Sequence, residues 1–598
     1  MIVQRKQTLL VLIVSIAVSF VLFGNGIRAD YAYDDTPGIA IREDLKDPRN
    51  IFKLFVSPYY FQQPEIGLYR PLPMFTYLLN NLLFGTTPVS FHIVNILLHA
   101  INSWLVFILI KYLTSDRKIA LISFLLFLVH PIHTEAVSLI VGRAELLVFL
   151  FSLLMLYFHL NHRYRRTSFC FLMALFSKEI AVMTLPLLFY IQWVRENKFP
   201  NIKKYFYYIV PMGIYFVLRF ITLGKYIFYA RALDYIENPL PFVSIQERIF
   251  TAFKVLYLYV EKLIFPLELT NDYSYNVIKI IQNPFQSHES IIGILLFMLL
   301  VLAVIIPRSK NTPVALAAVF FLLPYLLISN FVLAVGTIMG ERLIYFSSLG
   351  FILFITYILV KLSKKSEGWN ESVWIIFVII LTLFSIRTVI RNEDWINNDK
   401  LYSSNLKNHP EGFLTQLYWG TALLGKNQIE EGKKHLFAAQ QIYPNNSKLI
   451  ITFGALAEIE HQDGLAEKYY KEAISKYDLA IEAYAKLGHL YFKQEKYELS
   501  AENLLKAISL YPTEVETSYY ARTQIQLKTP DKGIEVIEKY FGKNPKDLEL
   551  LTALGYSYYG KEDYKNALNY LTMAQSKGNI NPEINSMIEV AKSMIKIQ

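Results

Sequence analysis

Residues 487–512 read LGHLYFKQEKYELSAENLLKAISLYP. Gly488, Ala501 and Ala507 are small enough to let two helices approach. Tyr491 and Tyr497 fill the space between them, and Pro512 ends the second helix. The same pattern returns at 554–575, LGYSYYGKEDYKNALNYLTMAQ, with Gly555, Tyr558, Tyr564, Ala567 and Ala574 in the equivalent places. Pro410, Pro444 and Pro512 fall on one 34-residue grid, as do Gly420, Gly454 and Gly488, and Pro545 follows Pro512 by 33. A recurring helix–turn–helix cannot bury its apolar face alone, so the units stack into an α-solenoid. About five units fit between 411 and 581, with a final capping helix.

The period and its small, aromatic and proline positions resemble a tetratricopeptide (TPR) repeat. Such arrays are binding scaffolds for peptides or partner proteins, or structural modules, and are rarely catalytic.

Working back from the repeats, the chain changes character near residue 390. Everything before it is a series of apolar runs separated by basic loops. Over 598 residues, 15% are aromatic and the mean hydropathy is +0.32, which fits a multi-span membrane protein. The net charge of +10 does not imply nucleic acid in such a chain, because cytoplasmic loops collect Lys and Arg. Cys170 is the lone cysteine, so no intrachain disulfide forms, and its apolar setting reads as a small buried residue.

Spans are expected near 8–24, 91–113, 118–136, 139–160, 205–222, 290–307, 312–332, 343–361 and 373–390. Two short pieces, 167–177 and 180–194, flank Ser177-Lys178-Glu179 as a half-length pair. The first run follows MIVQRKQ and reads as a retained span rather than a cleaved signal. Basic residues after alternate spans (Arg117 and Lys118, Arg163 to Arg166, Lys203 and Lys204, Arg308 and Lys310, Lys361 to Lys365) all fall on one side if the N-terminus is cytoplasmic. The fold class is therefore all-α: a polytopic bundle of about eleven helices, then the solenoid. The odd count places the C-terminal half outside. Residues 246–266 carry Lys254, Glu261 and Lys262, and read as an amphipathic helix in the outer interface. The expected divisions are a membrane domain at 1–392 with a long first outer loop at 25–90, a linker at 393–410, and repeats at 411–598.

Several outer-face residues carry chemistry. Asp34 and Asp35 are paired carboxylates suited to general-base work, or to capping a helix before Thr36-Pro37. His130, His133 and Glu135 have loose metal-ligand spacing, but Pro131 prevents one helix from presenting both imidazoles. Arg70, Arg143, Lys178 and Arg342 could hold a phosphate. Glu145, Glu179 and Glu341 stand close to three of them in sequence, so internal ion pairing is the competing reading. No metal site is expected; a divalent cation is kept only as an alternative.

YDDTPGIAIREDLKD, YRPL, HPIHTEAVSLIVGRAELL, SKEIAVMTLPLL, GERLIYFSSLG and RNEDW, in this order, resemble the transmembrane and TPR repeat-containing O-mannosyltransferase family, of the GT-C class of glycosyltransferases. The resemblance runs through nearly the whole membrane half. It implies a polyprenyl-phosphate sugar donor in the outer leaflet and a protein Ser or Thr acceptor. A base drawn from Asp34 and Asp35 would act in an inverting transfer. Arg143 and Arg342, with Lys178, would meet the leaving phosphate. Tyr69 and Arg70 would shape the cavity, and His130, His133 and Glu135 would contact the sugar. The chain departs from the family in its few repeat units and in 223–245. Its Ile, Lys, Asn, Tyr and Phe content suggests an AT-rich genome and a bacterial plasma membrane; a eukaryotic member would work in the endoplasmic reticulum with its repeats luminal. The competing readings are a lipid or glycan acceptor with the repeats docking a partner, and a non-enzymatic membrane scaffold.

Overall fold

The computed structural model describes residues 2–60, 64–196, 198–227, 234–306, 313–477, 480–579 and 581–597. It divides into two compact units, Met1–Trp419 and Gly420–Gln598. The basic pair Arg308 and Lys310, and part of 223–245, lie outside the described residues.

The first unit is a multi-pass membrane helical bundle. Among the described residues seven helices are long and apolar enough to cross a bilayer: Lys6–Gly26, Pro88–Thr114, Ile140–Leu160, Ile202–Tyr226, His288–Ile305, Glu341–Ser363 and Glu367–Glu393. An eighth candidate is a broken one, Arg117–Val129 and Pro131–Ser138, bent by 53°. Pro131 has no N–H to continue the helix, and His130 before it is extended (ψ 124). Pro313–Ile328 is shorter than expected for 312–332, because Asn330 takes a left-handed turn (φ 60). The half-length pair is present as Tyr164–Ser177 and Thr184–Glu196. Between them Lys178 is extended and Glu179–Met183 forms a 3-10 turn. The long first loop contains a helix that its composition did not announce, Pro71–Phe84.

Residues 246–266 form the amphipathic helix Ile245–Ile264, started by a capping box of Ser244 and Glu247. Thr251, Ala252, Val255, Leu256, Tyr259 and Leu263 are its buried stripe, and Lys254 pairs with Glu289 at 3.7 Å. It crosses His288–Ile305 at Gly293, where a Cβ would lie 1.9 Å from the Phe253 carbonyl oxygen. Gly293→Ala therefore has to push two backbones apart. It is expected to destabilise the bundle by about 1–3 kcal/mol, read as a lower melting temperature of the purified protein; an unchanged one would mean the helices do not touch there.

The stretch 393–410 is not a free linker. Asn398–Asn408 is a helix with Leu401 fully buried. Thr270 Oγ1 donates to Asn405 Oδ1 (2.9 Å), and the Asn408 amide donates to the Leu269 carbonyl (3.0 Å). The boundary falls instead inside the helix Phe413–Gly425.

From Phe413 on, five helix pairs follow: Phe413–Gly425 with Ile429–Ile442, Ser447–Ile459 with Asp463–Lys476, Ile481–Lys493 with Tyr497–Leu510, Glu514–Gln526 with Pro530–Phe541, and Leu548–Gly560 with Tyr564–Ser576. Pro582–Ile597 follows as the capping helix. The turn within each pair reverses at a left-handed residue. These are Asn427, His461, Glu495, Lys528 and Glu562, spaced 34, 34, 33 and 34 residues apart. Gly454 and Gly488 are required by close approach: a Cβ would lie 2.4 Å from the Tyr470 ring and 2.7 Å from Leu504. The fourth pair differs at one position. Ala521 takes the glycine position, and Gly533 on the second helix comes against it.

Candidate active site

The segment His130–Arg143 folds as a short 3-10 turn, one turn of helix (Thr134–Ser138) and a second 3-10 turn (Ile140–Gly142) before the long helix begins. Gly142 lets it double back, since a Cβ there would meet the Ala136 carbonyl at 2.4 Å. This floor separates the two aspartates of the first loop. Asp35 is completely buried. Its carboxylate accepts from the backbone N–H groups of Val141 (2.8 Å), Ile140 (3.1 Å) and Ala32 (3.4 Å). It caps no helix; it pins the first loop to the floor. Asp34 stays partly exposed, its side chain at 27%, and accepts from Arg342 Nη2 at 2.7 Å. Tyr33 before it is left-handed (φ 49), and its N–H donates to Asn398 Oδ1 (2.8 Å).

Arg342 also meets Glu135. Its backbone N–H donates to Glu135 Oε2 at 2.9 Å, and its Nε lies 3.5 Å from Oε1. Beside this group stands a second, in which Arg70 donates to Glu179 (3.0 and 3.2 Å) and Arg219 approaches the same carboxylate at 3.6 Å. Lys178 and Glu145 form a buried pair. Tyr59 lies under Arg70, 5.6 Å from guanidinium carbon to ring centre. Burial first, with the nearby Asp34 charge adding, pushes the Tyr59 phenol up to about 12 against Arg70 and Arg342. The arrangement is a partly open carboxylate, Asp34, among alternating cations and anions on a preorganised backbone. It can accept a proton and place guanidinium groups against an anion.

The structure places four of the expected site residues, His130, His133, Arg143 and Glu341, in internal hydrogen bonding away from the open carboxylate. His130 and His133 are buried, with both ring nitrogens engaged: His130 with the Leu263 carbonyl and the Ile132 N–H, His133 with the Phe127 carbonyl and Ser348 Oγ. They hold the floor to its neighbours and offer nothing to a sugar or a metal. Arg143 is fully buried. It donates to Asn95, Asn80, Thr76 and the Phe91 carbonyl, so no face of it meets a phosphate. Glu341 turns away from Arg342 into the core. It accepts from the Thr270 N–H (2.5 Å) and the Tyr273 hydroxyl (2.9 Å), and Arg391 lies 3.5 Å away. Tyr69 donates to the Phe55 carbonyl (2.7 Å) and packs on Phe176 and Tyr215. Two participants went unread in the sequence, Arg219 and Arg391. A lone arginine inside the apolar run YFVLRFITL was the available signal for Arg219. Among the described residues no three His, Cys, Asp or Glu side chains gather as a metal site would require.

Burial, with the Asp34 charge adding, pushes the Asp35 carboxyl up to about 7, against the three backbone N–H donors that favour its ionised form. A folded value above the unfolded one, about 3.9, gives stability that is complete below about pH 4 and lost as pH rises through 7. Melting temperature is expected to fall from pH 5 to pH 8, with that slope reduced in Asp35→Asn. The variant also faces one backbone N–H with an amide NH2, a cost of about 1–3 kcal/mol. Parallel wild-type and variant pH curves would remove Asp35 as the titrating group.

No family model matches the chain. Among curated proteins, the Protein O-mannosyl-transferase F38B6.6 of Caenorhabditis elegans is 26% identical over 452 residues, covering 74% of this chain and 64% of its own length. The chain is similar to protein O-mannosyl-transferases. Homo sapiens Protein O-mannosyl-transferase TMTC3 is 26% identical over 578 residues, covering 87% of this chain and 62% of the relative. The chain thus spans somewhat less than two thirds of the length of these relatives. Among solved structures, YrrB, a TPR protein, aligns with 32% of this chain and 97% of its own at 15% identity and a TM-score of 0.26.

Proposed function

We propose that this chain is an inverting membrane glycosyltransferase. It moves a sugar, mannose by the relatives' names, from a polyprenyl-phosphate carrier to a Ser or Thr hydroxyl of a polypeptide. The observation that carries this reading is the partly open Asp34–Arg342 pair within a cluster of partly and fully buried ion pairs, in a membrane bundle similar to protein O-mannosyl-transferases. Asp34 takes the hydroxyl proton. The freed oxygen forms a bond to the anomeric carbon, and the bond from that carbon to the carrier's phosphate oxygen breaks. The electron pair leaves with the polyprenyl phosphate, and the anomeric configuration inverts. The arriving phosphate competes with Asp34 for Arg342, so donor binding itself frees the base. Arg70 and Lys178, each already paired with a carboxylate, are the further cations for the phosphate, and Glu135 and Glu179 hold Arg342 and Arg70 for that task. Asp35 serves by anchoring the loop that carries Asp34. Guanidinium groups meet the leaving charge, and transfer is expected to survive removal of divalent cations.

The distribution of basic loops supports a cytoplasmic N-terminus, with the site on the other face and the repeats outside, available to the acceptor or a partner protein. The membrane is the plasma membrane of a bacterium, or the endoplasmic reticulum if the source is eukaryotic.

The test is to incubate the purified protein with radiolabelled polyprenyl-phosphate mannose and an extract of its own cells, with and without EDTA. Label is expected in protein bands, at the same rate with EDTA present. Label in lipid or polysaccharide alone would move the acceptor; no consumption of any donor in a panel of lipid-linked sugars would sink the enzymatic reading.

A further inference from the structure

At the other end of the helix Tyr164–Ser177 from Lys178 and Glu179 lies a feature that the proposed transfer does not use. This helix and the segment Ile202–Leu223 run side by side in the same direction. Tyr164 stacks on Tyr207 at 5.3 Å, Phe171 meets Tyr208 at 5.5 Å, and Phe176 meets Tyr215 at 6.5 Å. Ser168 Oγ donates to the Tyr207 carbonyl (2.6 Å). Between the two elements is an open groove of about 440 Å³, lined by Phe169, Leu172, Phe206, Val210, Pro211 and Ile214. Phe169, Phe206 and Val210 are 60%, 61% and 66% exposed. Both elements begin at the same end of the groove, and both begin with cations: Arg165 and Arg166 on one, Lys203 and Lys204 on the other. Among the described residues none of these four forms an ion pair. The nearest acid in sequence is Glu196, which closes the preceding helix.

A hydrocarbon-lined groove inside a candidate span, ending in an uncompensated basic rim, has the polarity of a phospholipid: acyl chain along the groove, anionic headgroup at the rim. We propose that this groove is a binding site for an anionic phospholipid. The helix Tyr164–Ser177 has 14 residues and is therefore about 21 Å long. That length sets the rim and the Arg70–Glu179 group in opposite halves of the bilayer, so the bound lipid is not the sugar donor. The inference stands whether or not the transfer reaction does.

The full-length protein, released from nanodiscs of equimolar phosphatidylglycerol and phosphatidylcholine, would be examined by native mass spectrometry. Wild type is expected to retain phosphatidylglycerol in preference to phosphatidylcholine. The preference should fall about fivefold for each cation removed in Lys203→Gln/Lys204→Gln and in the fourfold variant that adds Arg165→Gln and Arg166→Gln. Arg165 and Lys203 are exposed, Lys204 is partly buried and Arg166 lies 5.8 Å from the Phe158 ring centre, so melting temperatures measured beside the preference keep the comparison interpretable. Val210→Trp, which fills the groove and leaves the cations, should lose retained lipid of both kinds. An unchanged phosphatidylglycerol preference in the fourfold variant, or full retention in Val210→Trp, would overturn the proposal. So would displacement of the lipid by millimolar glycerol phosphate, which would make the rim a simple anion site.

Discussion

Asp34→Asn is expected to lower sugar transfer to protein by about 10²–10⁴-fold, the range set by loss of a positioned general base, with almost no change in folding. The amide is isosteric with the carboxylate, and its oxygen can still accept from Arg342, now at 2.7 Å from Asp34. It cannot take a proton from an attacking hydroxyl. The pair is partly exposed on both sides, 25% and 27%, so its loss costs only about 0–1 kcal/mol. Initial rates with labelled donor, beside melting curves, separate the two quantities. A variant within threefold of wild type would remove Asp34 as the base. The neighbouring aspartate should behave in the reverse manner, with Asp35→Asn appearing first as lost stability, because its oxygens are consumed by backbone donors.

The large architecture was legible because it is written in repeated or averaged signals. Each span is a sum over some twenty residues. The solenoid repeats its glycines, prolines and turn positions often enough that alanine at 521 in place of the glycine does not hide it. The bend at Pro131 and the half-length pair around Lys178 also follow from local chemistry. The site was legible only as a set of candidates. HPIHTE names its residues without saying where they turn, and the partners that bury His130 and His133, Leu263 and Ser348, lie far along the chain. Glu341 and Arg342 are adjacent in sequence, yet the 3-10 turn from Glu341 to Ile344 sends one into the core and the other to Asp34. The asparagines of 393–410 give that stretch a linker's composition. Asn405 and Asn408 serve instead as hydrogen-bonding partners of the loop at 269–271, and Asn398 accepts from the Tyr33 N–H.

The largest stability effect is expected at Arg391→Met, in the motif RNEDW at the end of the last long helix. Arg391 and Glu341 are both fully buried and face each other at 3.5 Å. Arg391 also reaches Asp394 at 2.9 Å and lies over the Trp395 ring. Methionine preserves most of the packing volume and removes the charge. Glu341 then keeps the neutral donors Thr270 N–H and Tyr273 O–H and, of cations, only the more distant charge of Lys262. An uncompensated carboxylate in that position costs about 3–5 kcal/mol. The double variant Glu341→Gln/Arg391→Met removes both charges and should recover much of the loss, because the destabilisation comes from the orphaned anion and not from the missing arginine contacts. Melting temperatures of the two single variants and the double variant in one detergent form the cycle. Additive losses would show that the pair is not coupled. Glu341 precedes Arg342, so its release should also loosen the guanidinium that faces Asp34: Arg391→Met, though distant from any substrate, is expected to lose transfer activity at temperatures where it is still folded, and the double variant to regain part of it.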